Sequence, residues 1–232
     1  MAVVTISREL GSRGRYVGEK VAKALDYPFV DKESIELVLR DYCLQTPFLE
    51  LYEAEPGLRK RFDYTRTLTL EMLNRVIRAL AQHDKVVILD RGGYALLQGF
   101  ANVLNVRVEA PFSIRVPRIM KQLGVQHRGE AEAFLKKWDH LRTAFVESTY
   151  HVRWSDCSAF DLVIDTGKVH PEIAVDWVVE AIDSLEEGER GNERTTRSIE
   201  VDSVLKSKVL EILRVPEAHV PGVERYLTDI AA

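Results

Sequence analysis

Hydrophobic and polar positions along this chain follow two alternating patterns. Short apolar runs predict strands, and they lie at 3–6, 27–30, 85–93, 103–110 and 160–166. Apolar residues spaced three or four positions apart predict helices, and these lie at 14–25, 32–42, 65–83, 112–122, 129–149 and 171–187. Because strands alternate with helices, we predict an α/β fold, a three-layer doubly wound parallel sheet with helices on both faces.

Two parts of the chain depart from this alternation. Residues 43–63 are interrupted by prolines and a glycine and show no clear period. The polar stretch at 185–198 predicts a linker, and an amphipathic helix at 201–213 follows it. We therefore expect a main domain at 1–188 and, at 189–232, a linker with a small helical appendage. The appendage is too short to fold alone, so it packs either on the main domain or on a partner.

Composition narrows the classes of function. At 232 residues the chain is long enough for one sizeable domain. Its net charge of −4 argues against general binding to nucleic acid polymers. Two cysteines make no disulfide framework, no apolar run approaches the length of a membrane span, and no signal peptide precedes the first strand. We expect a cytoplasmic protein without membrane partners, and the oligomeric state stays open.

Sequence patterns of several other site types are missing. The histidines are scattered, with no H-x-x-x-H pair and no set of carboxylates typical of a metal site. There is no G-x-S-x-G motif, which argues against an α/β-hydrolase.

A glycine-bearing turn follows the first predicted strand. In "VVTISRELGSRGRYVGEKVA" the residues Gly11, Ser12 and Gly14 stand between strand and helix, where backbone N–H groups can bind phosphate. The usual lysine of a phosphate-binding loop is missing, and arginines stand nearby instead. Arginine can bind phosphate through two N–H groups. The alternative is an ordinary strand-to-helix turn with solvated arginines.

A second candidate site lies at the end of the strand at 85–93. Here "VVILD" ends in Asp90 and Arg91, a pattern in which the carboxylate holds Mg²⁺ directly or through water. The alternative is a strand-end turn with a solvated Asp–Arg pair. In a parallel sheet this position and the glycine turn share one edge.

Residues 115–153 are rich in basic side chains. In "KKWDHLRTAF" Asp139 and Arg142 are three positions apart and can pair on one helical face. Arginines that close over a phosphoryl group stabilise the charge of its transition state, so a mobile helical pair here would act as a lid. The alternative is a solvated helix face with intrahelical ion pairs.

The order of these segments resembles the cytidylate-kinase-like family, a branch of the P-loop nucleoside monophosphate kinases. "TISRELGSRGRYVGEKVAKALDYPFVDKESI" is similar to the family's opening I-S-R-E-x-G-S-G-G-R stretch and its Y-D-K-E segment. "VVILDRGGYALL", "APFSIRVPRIM", "KKWDHLRTAF" and "FDLVIDTGKV" resemble its later segments in the same order, over residues 3–185. The resemblance implies a sheet of the P-loop nucleoside-kinase type with a helical lid.

The resemblance also implies roles for individual residues. The phosphates of ATP are expected at Gly11, Ser12, Arg13, Gly14 and Arg15. The expected catalytic residues are Arg15, Arg118 and Arg142. The expected acceptor-binding residues are Arg8, Asp31, Arg91, which would grip the acceptor phosphate, and Asp139, which would contact the acceptor or orient Arg142. Mg²⁺ accompanies ATP in this chemistry, with Asp90 as its candidate ligand.

Two residues depart from the family pattern. Arg13 and Asp90 stand where the family usually has glycine. Our primary hypothesis is ATP-dependent transfer of phosphate to a nucleoside monophosphate, with CMP or dCMP as the implied acceptor. The two departures motivate an alternative, a nucleotide-binding regulatory module that has lost turnover. A kinase of another small acceptor is a third hypothesis, because a fold does not fix a function.

Overall fold

The computed structural model describes residues 2–42, 63–188 and 193–213. Its centre is a five-stranded sheet in the order β2-β3-β1-β4-β5. The strands are β1 (Val3–Arg8), β2 (Phe29–Val30), β3 (Val86–Leu89), β4 (Val103–Glu109) and β5 (Leu162–Asp165). All four neighbouring pairs are parallel, with Val3 opposite Val86 on one side and opposite Val103 on the other. The predicted parallel sheet is therefore confirmed.

Helices cover both faces of this sheet. They are α1 (Gly14–Leu25), α2 (Lys32–Tyr42), α3 (Asp63–Gln82), α4 (Gly93–Leu96), α5 (Phe112–Leu123), α6 (Arg128–Tyr150), α7 (Pro171–Glu187) and α8 (Ser203–Leu213). Side chains of α1 and α7 pack on one face of the sheet, and those of α2, α3 and α8 pack on the other. The three-layer arrangement follows from strands whose alternate side chains are buried on opposite faces.

The segment after residue 192 joins the main domain. Ile199, Leu205 and Val209 are buried in the same core as Val38 and Ile77. A buried polar network at the start of β3 and β4 supports this packing, because Asn102 Nδ2 donates to Asp84 Oδ1 at 2.9 Å and to Thr196 Oγ1 at 2.7 Å. Of the two alternatives for the appendage, its described residues therefore pack on the main domain.

Helices α5 and α6 form a pair beside the sheet. Val116 and Ile119 of α5 are buried against Ala131 and Leu135 of α6. This pair places the basic segment next to the carboxyl ends of the strands. Among the described residues, no helix is both long enough and apolar enough to cross a membrane. The irregular segment at 43–63 lies almost wholly outside the described residues.

Candidate active site

A cavity of about 760 Å³ opens at the carboxyl ends of β1 and β3. Its lining includes Arg8 at the end of β1, Gly11 after it and Asp90 after β3, together with Arg118 of α5 and Arg142 of α6. The position is the one at which doubly wound sheets bind ligands. The glycine turn, the strand end and the basic segment, which are distant in sequence, thus meet in one cavity.

The glycine turn presents a helix N-terminus to this cavity. Gly11 has φ +81°, and Arg13, which precedes α1, has φ +63°. No side chain caps α1 and its first turn has no acidic residue, so its first backbone N–H groups are not held by a neighbouring carboxylate. The partial positive charge of the helix end favours an anion here. The geometry of the turn therefore suits a phosphate group.

The predicted phosphate-binding residues take different positions in this turn. Gly11, Arg13 and Arg15 line the cavity, whereas Ser12 and Gly14 do not. Ser12 is fully buried, and its carbonyl accepts a hydrogen bond from Thr166 Oγ1 at 2.6 Å. A Cβ at Gly14 would lie 2.5 Å from the Cβ of Arg8, so this glycine allows α1 to approach β1 closely.

Arg118 holds the turn in place from α5. Its Nη1 donates to the carbonyl of Gly11 at 3.2 Å, and its Nη2 donates to the carbonyl of Thr166 at 2.7 Å. Burial lowers the pKa of Arg118, and the nearby charge of Arg13 lowers it further. Arg118 thus joins α5, the glycine turn and the end of β5.

The turn after β3 is the second side of the site. Asp90, Arg91 and Gly92 follow one another with φ of +63°, +58° and +73°. Asp90 and Arg13, the two departures from the family's glycines, therefore both lie in the left-handed region, which favours glycine. Asp is tolerated there better than most residues, whereas an arginine is less common. Both substitutions place conformational strain beside the cavity.

Asp90 is held by two arginines. Its Oδ1 accepts from Arg142 Nη1 at 2.9 Å and from the Arg8 backbone N–H at 3.2 Å. Its Oδ2 lies 3.2 Å from Arg8 Nε. Arg142 also donates to the carbonyl of Arg8, so α6 is tied to the ends of both β1 and β3.

These contacts do not fit direct binding of Mg²⁺ by Asp90. Each of its carboxylate oxygens already faces a guanidinium group, which a cation would have to displace. Within the described residues there is also no group of three His, Cys, Asp or Glu side chains that could hold a metal ion. The metal role of Asp90 remains a sequence-based prediction, and we assign no step of a reaction to it.

The opposite side of the cavity, after β2, carries acidic groups. Arg15 Nη2 donates to Asp31 Oδ2 at 2.7 Å, and Arg15 Nε donates to Glu19 at 2.7 Å. Burial would raise the pKa of Asp31, but hydrogen bonds from Ser34 and the charge of Arg15 hold it below its usual value. Burial and the charge of Asp31 raise the pKa of Glu33. Arg15 is thus paired with Asp31 after β2 and with Glu19 of its own helix α1.

Lys32 is a cavity residue that the sequence analysis did not single out. Burial lowers the pKa of Lys32 to about 8; the charge of Glu36 opposes this effect and that of Arg91 adds to it. Arg91 also lines the cavity, and its role in binding the acceptor stays a prediction. Lys32 belongs to the D-K-E segment that the sequence comparison with the family already included. The burial of its side chain, however, depends on packing that the sequence does not show.

The predicted pairing of Asp139 with Arg142 is wrong. Asp139 instead forms a two-point ion pair with Arg115, with Nη1–Oδ1 and Nη2–Oδ2 distances of 3.0 and 2.9 Å. Arg115 is buried and also donates to the carbonyl of Ala110, so it provides a fixed partner for Asp139. Asp139 does not line the cavity, and its predicted contact with an acceptor is not supported by this position.

Basic side chains predominate in the cavity although the whole chain is acidic. Its acidic residues are Asp31, Glu33 and Asp90. Its basic residues are Arg8, Arg13, Arg15, Lys32, Arg91, Arg118, Lys121 and Arg142. Because low-dielectric walls concentrate the field of such charges, the cavity attracts anionic ligands.

Aromatic side chains form part of the cavity wall. Phe134 and Trp138 of α6 lie with ring centroids 6.0 Å apart. Trp154 lies beneath the guanidinium of Arg142, 5.8 Å from it. Such rings provide flat apolar surface beside the charged groups.

Comparison of the sequence with known proteins identifies a family. The sequence model of the cytidylate kinase-like family matches residues 3–168. A cytidylate kinase of Halobacterium salinarum is 26% identical over 190 residues, which cover 79% of this chain and 91% of that protein. A cytidylate kinase of Methanosarcina barkeri is 26% identical over 137 residues, which cover 59% of this chain and 74% of that protein.

A solved structure agrees with the fold. An uncharacterized protein from Eubacterium ventriosum superimposes with a TM-score of 0.62 at 22% identity, over 79% of this chain and 99% of that one. The family supports nucleotide kinase activity and implies the use of ATP, usually with a divalent metal. The chain belongs to the cytidylate kinase-like family.

Proposed function

We propose that this protein transfers the γ-phosphate of ATP to a nucleoside monophosphate, with CMP or dCMP as the acceptor. The observation that carries the proposal is the open N-terminus of α1 beside a cavity in which arginines predominate. A helix end and guanidinium groups are complementary to the phosphate chain of ATP and to the charge that develops during transfer.

The phosphates of ATP lie against the glycine turn in this proposal. Backbone N–H groups at the start of α1 and the side chain of Arg13 contact them, and Arg118 keeps the turn in shape through the carbonyl of Gly11. Glycine suits position 11 of this turn because the backbone there has φ +81°, a conformation that other residues adopt only with strain. Phosphoryl transfer needs mainly positioning and charge stabilisation, so no covalent intermediate with the protein is required.

The acceptor lies between the turn after β3 and the acidic residues after β2. Arg91 contacts its phosphate, and Arg8 and Arg142 face the phosphoryl group that moves. In this proposal Asp31 accepts hydrogen bonds from the acceptor, and the contacts of its carboxylate with Ser34 and Arg15, which lower its pKa, support an ionised group there. A carboxylate can accept from an exocyclic amino group, which cytosine carries and uracil lacks.

The proposal is tested by release of ADP from Mg-ATP with a panel of monophosphates. We expect turnover with CMP or dCMP and much slower turnover with UMP, AMP and GMP. No ADP release with any acceptor, from protein shown to be folded by its thermal unfolding, would contradict it.

The regulatory alternative has an observation in its favour. Asp90 occupies both Arg8 and Arg142, which removes much of the positive charge that transfer requires. A regulatory module would be stabilised against heat by nucleotide without releasing ADP. The panel and a thermal shift measurement on the same samples therefore separate the two functions.

A further inference from the structure

We propose that Asp90 sets the affinity of this site for phosphate, by competing with the ligand for the guanidinium groups of Arg8 and Arg142. This inference rests on the proposed function, because it concerns the same anion-binding cavity. It assigns to Asp90 the role of an internal anion that a bound phosphate must partly replace.

Asp90 reaches both guanidinium groups, but of the two it accepts a hydrogen bond only from that of Arg142, because Arg8 Nε has no hydrogen-bond partner among the described residues. Asp90 Oδ1 faces Arg142 Nη1 at 2.9 Å, while Asp90 Oδ2 faces Arg8 Nε at 3.2 Å. The side chains of all three residues are only about a fifth exposed, with values of 18% for Asp90, 20% for Arg8 and 22% for Arg142. Such partly buried pairs are screened by solvent less than surface pairs are.

Asp90, Arg8 and Arg142 all line the cavity. A phosphate group that reaches Arg8 and Arg142 from the cavity must therefore come close to the carboxylate of Asp90. Two negative groups at such short range repel each other, and they compete for the N–H groups of Arg142 and for the positive charge of Arg8. The affinity of the site is consequently lower than its arginines alone would give.

The conformation of the turn after β3 does not require a carboxylate at position 90. Asp90 has φ +63°, a conformation that glycine adopts without strain. The side chain thus adds a conformational cost, and its visible contacts are those with Arg8 and Arg142. The carboxylate therefore serves to pair with these two arginines and to lower the positive charge that they offer to a ligand.

The experiment is titration of inorganic pyrophosphate, without metal, into the full chain by calorimetry. The variant Asp90→Asn keeps the size of the side chain and an oxygen for the Arg8 N–H, but removes the charge. We expect it to bind pyrophosphate about fivefold to tenfold more tightly than the unaltered protein. Asp90→Gly, which also relieves the backbone, is expected to show a gain of similar size.

A double variant tests whether the gain passes through Arg142. Arg142→Gln alone is expected to weaken binding, and Asp90→Asn added to it is expected to give a smaller gain than in the unaltered protein, because only the competition for Arg8 remains. A full gain in the Arg142→Gln background would overturn competition for this arginine.

The matched control is Glu132→Gln. It removes a carboxylate that pairs with Arg128 on the same helix α6, and neither residue lines the cavity. We expect its affinity for pyrophosphate to equal that of the unaltered protein. An equal gain in this control would show that only net charge matters and would overturn the proposal.

Other outcomes are equally decisive. Unchanged or weaker binding by folded Asp90→Asn overturns the proposal, and so does loss of folding in both Asp90 variants. If pyrophosphate binding is measurable only in the Asp90 variants, the proposal is supported. Because the readout is binding, its failure in a protein that still phosphorylates CMP leaves the proposed function standing.

Discussion

Arg115 and Asp139 join helices α5 and α6 through two parallel contacts of 3.0 and 2.9 Å. The guanidinium is buried, whereas the carboxylate is about one third exposed. The pair thus fixes the helix that carries Arg142 to the helix that carries Arg118. The position of both cavity arginines depends on it.

We predict that Asp139→Asn lowers the free energy of unfolding by about 2 kcal/mol, because it removes the two-point partner of a buried guanidinium and leaves only Glu9, at 3.4 Å from Arg115 Nε, to balance its charge. Urea unfolding measures this loss. Arg128→Gln, which breaks the exposed pair with Glu132 on the same helix, is the control and is expected to cost less than about 0.5 kcal/mol. Equal losses in the two variants would contradict a special role for the buried pair.

Gly92 is expected to be intolerant of any side chain. It has φ +73°, and a Cβ there would overlap the ring of Tyr150. Gly92→Ala should therefore lower the free energy of unfolding by about 3 kcal/mol, from strain and overlap together. Gly124→Ala has a similar φ of +68° with nothing within 4 Å, so it isolates strain alone and should cost about 1 kcal/mol. Chemical denaturation that gives the same loss for both variants would refute the overlap.

Helix α8 is expected to contribute to global stability. Leu205 is 1% exposed in the core shared with α2 and α3, whereas its neighbour Val204 is 61% exposed. Leu205→Ala should cost about 3 kcal/mol through lost burial and a cavity, and Val204→Ala should change stability by less than about 0.5 kcal/mol. A negligible loss for Leu205→Ala in urea unfolding would mean that α8 is not part of this core.

Phosphate binding is expected to weaken as pH rises through 8. Burial lowers the pKa of Lys32 to about 8, so this side chain loses its charge well below its usual range. Glu33, Glu36 and Arg91 are the charged groups around it. Affinity for pyrophosphate should fall about fivefold between pH 7 and pH 9.

Variants of Lys32 show how much of this loss of pyrophosphate affinity is caused by the titration of Lys32. Lys32→Arg stays charged and should keep its affinity at pH 9, whereas Lys32→Met should bind weakly at both values. Changes in the charge of pyrophosphate itself affect all variants alike. The same fall in Lys32→Met as in the unaltered protein would rule out Lys32 as its cause.

The titration of Lys32 also has a definite effect on stability. Its folded pKa is lower than its unfolded pKa, so the unfolded chain binds more protons between about pH 8 and the usual value of 10.5. The contribution of this group to the free energy of unfolding therefore rises with pH across that window. Below pH 8 the cost of burying the charge is fully present.

The sheet and the location of the site could be predicted from sequence. The continuous apolar run of β3 is buried at every position, as expected for a central parallel strand. Because parallel strands end at the same edge, the sequence alone places Gly11 and Asp90 close together.

The partners of individual charges could not be predicted in the same way. Spacing along a helix suggested Arg142 as the partner of Asp139, but Arg115, 24 positions away, provides a closer two-point contact. Likewise, the packing of Leu205 against α2 and α3 joins residues far apart in sequence. Such contacts depend on how helices cross, which local periodicity does not determine.

Phosphoryl transfer to CMP is tested most directly by identification of the products by ³¹P NMR after incubation of the protein with Mg-ATP and CMP. We expect CDP and ADP to appear in equal amounts and neither to form when CMP is omitted. Formation of ADP with inorganic phosphate in place of CDP, or no change in either nucleotide, would contradict it.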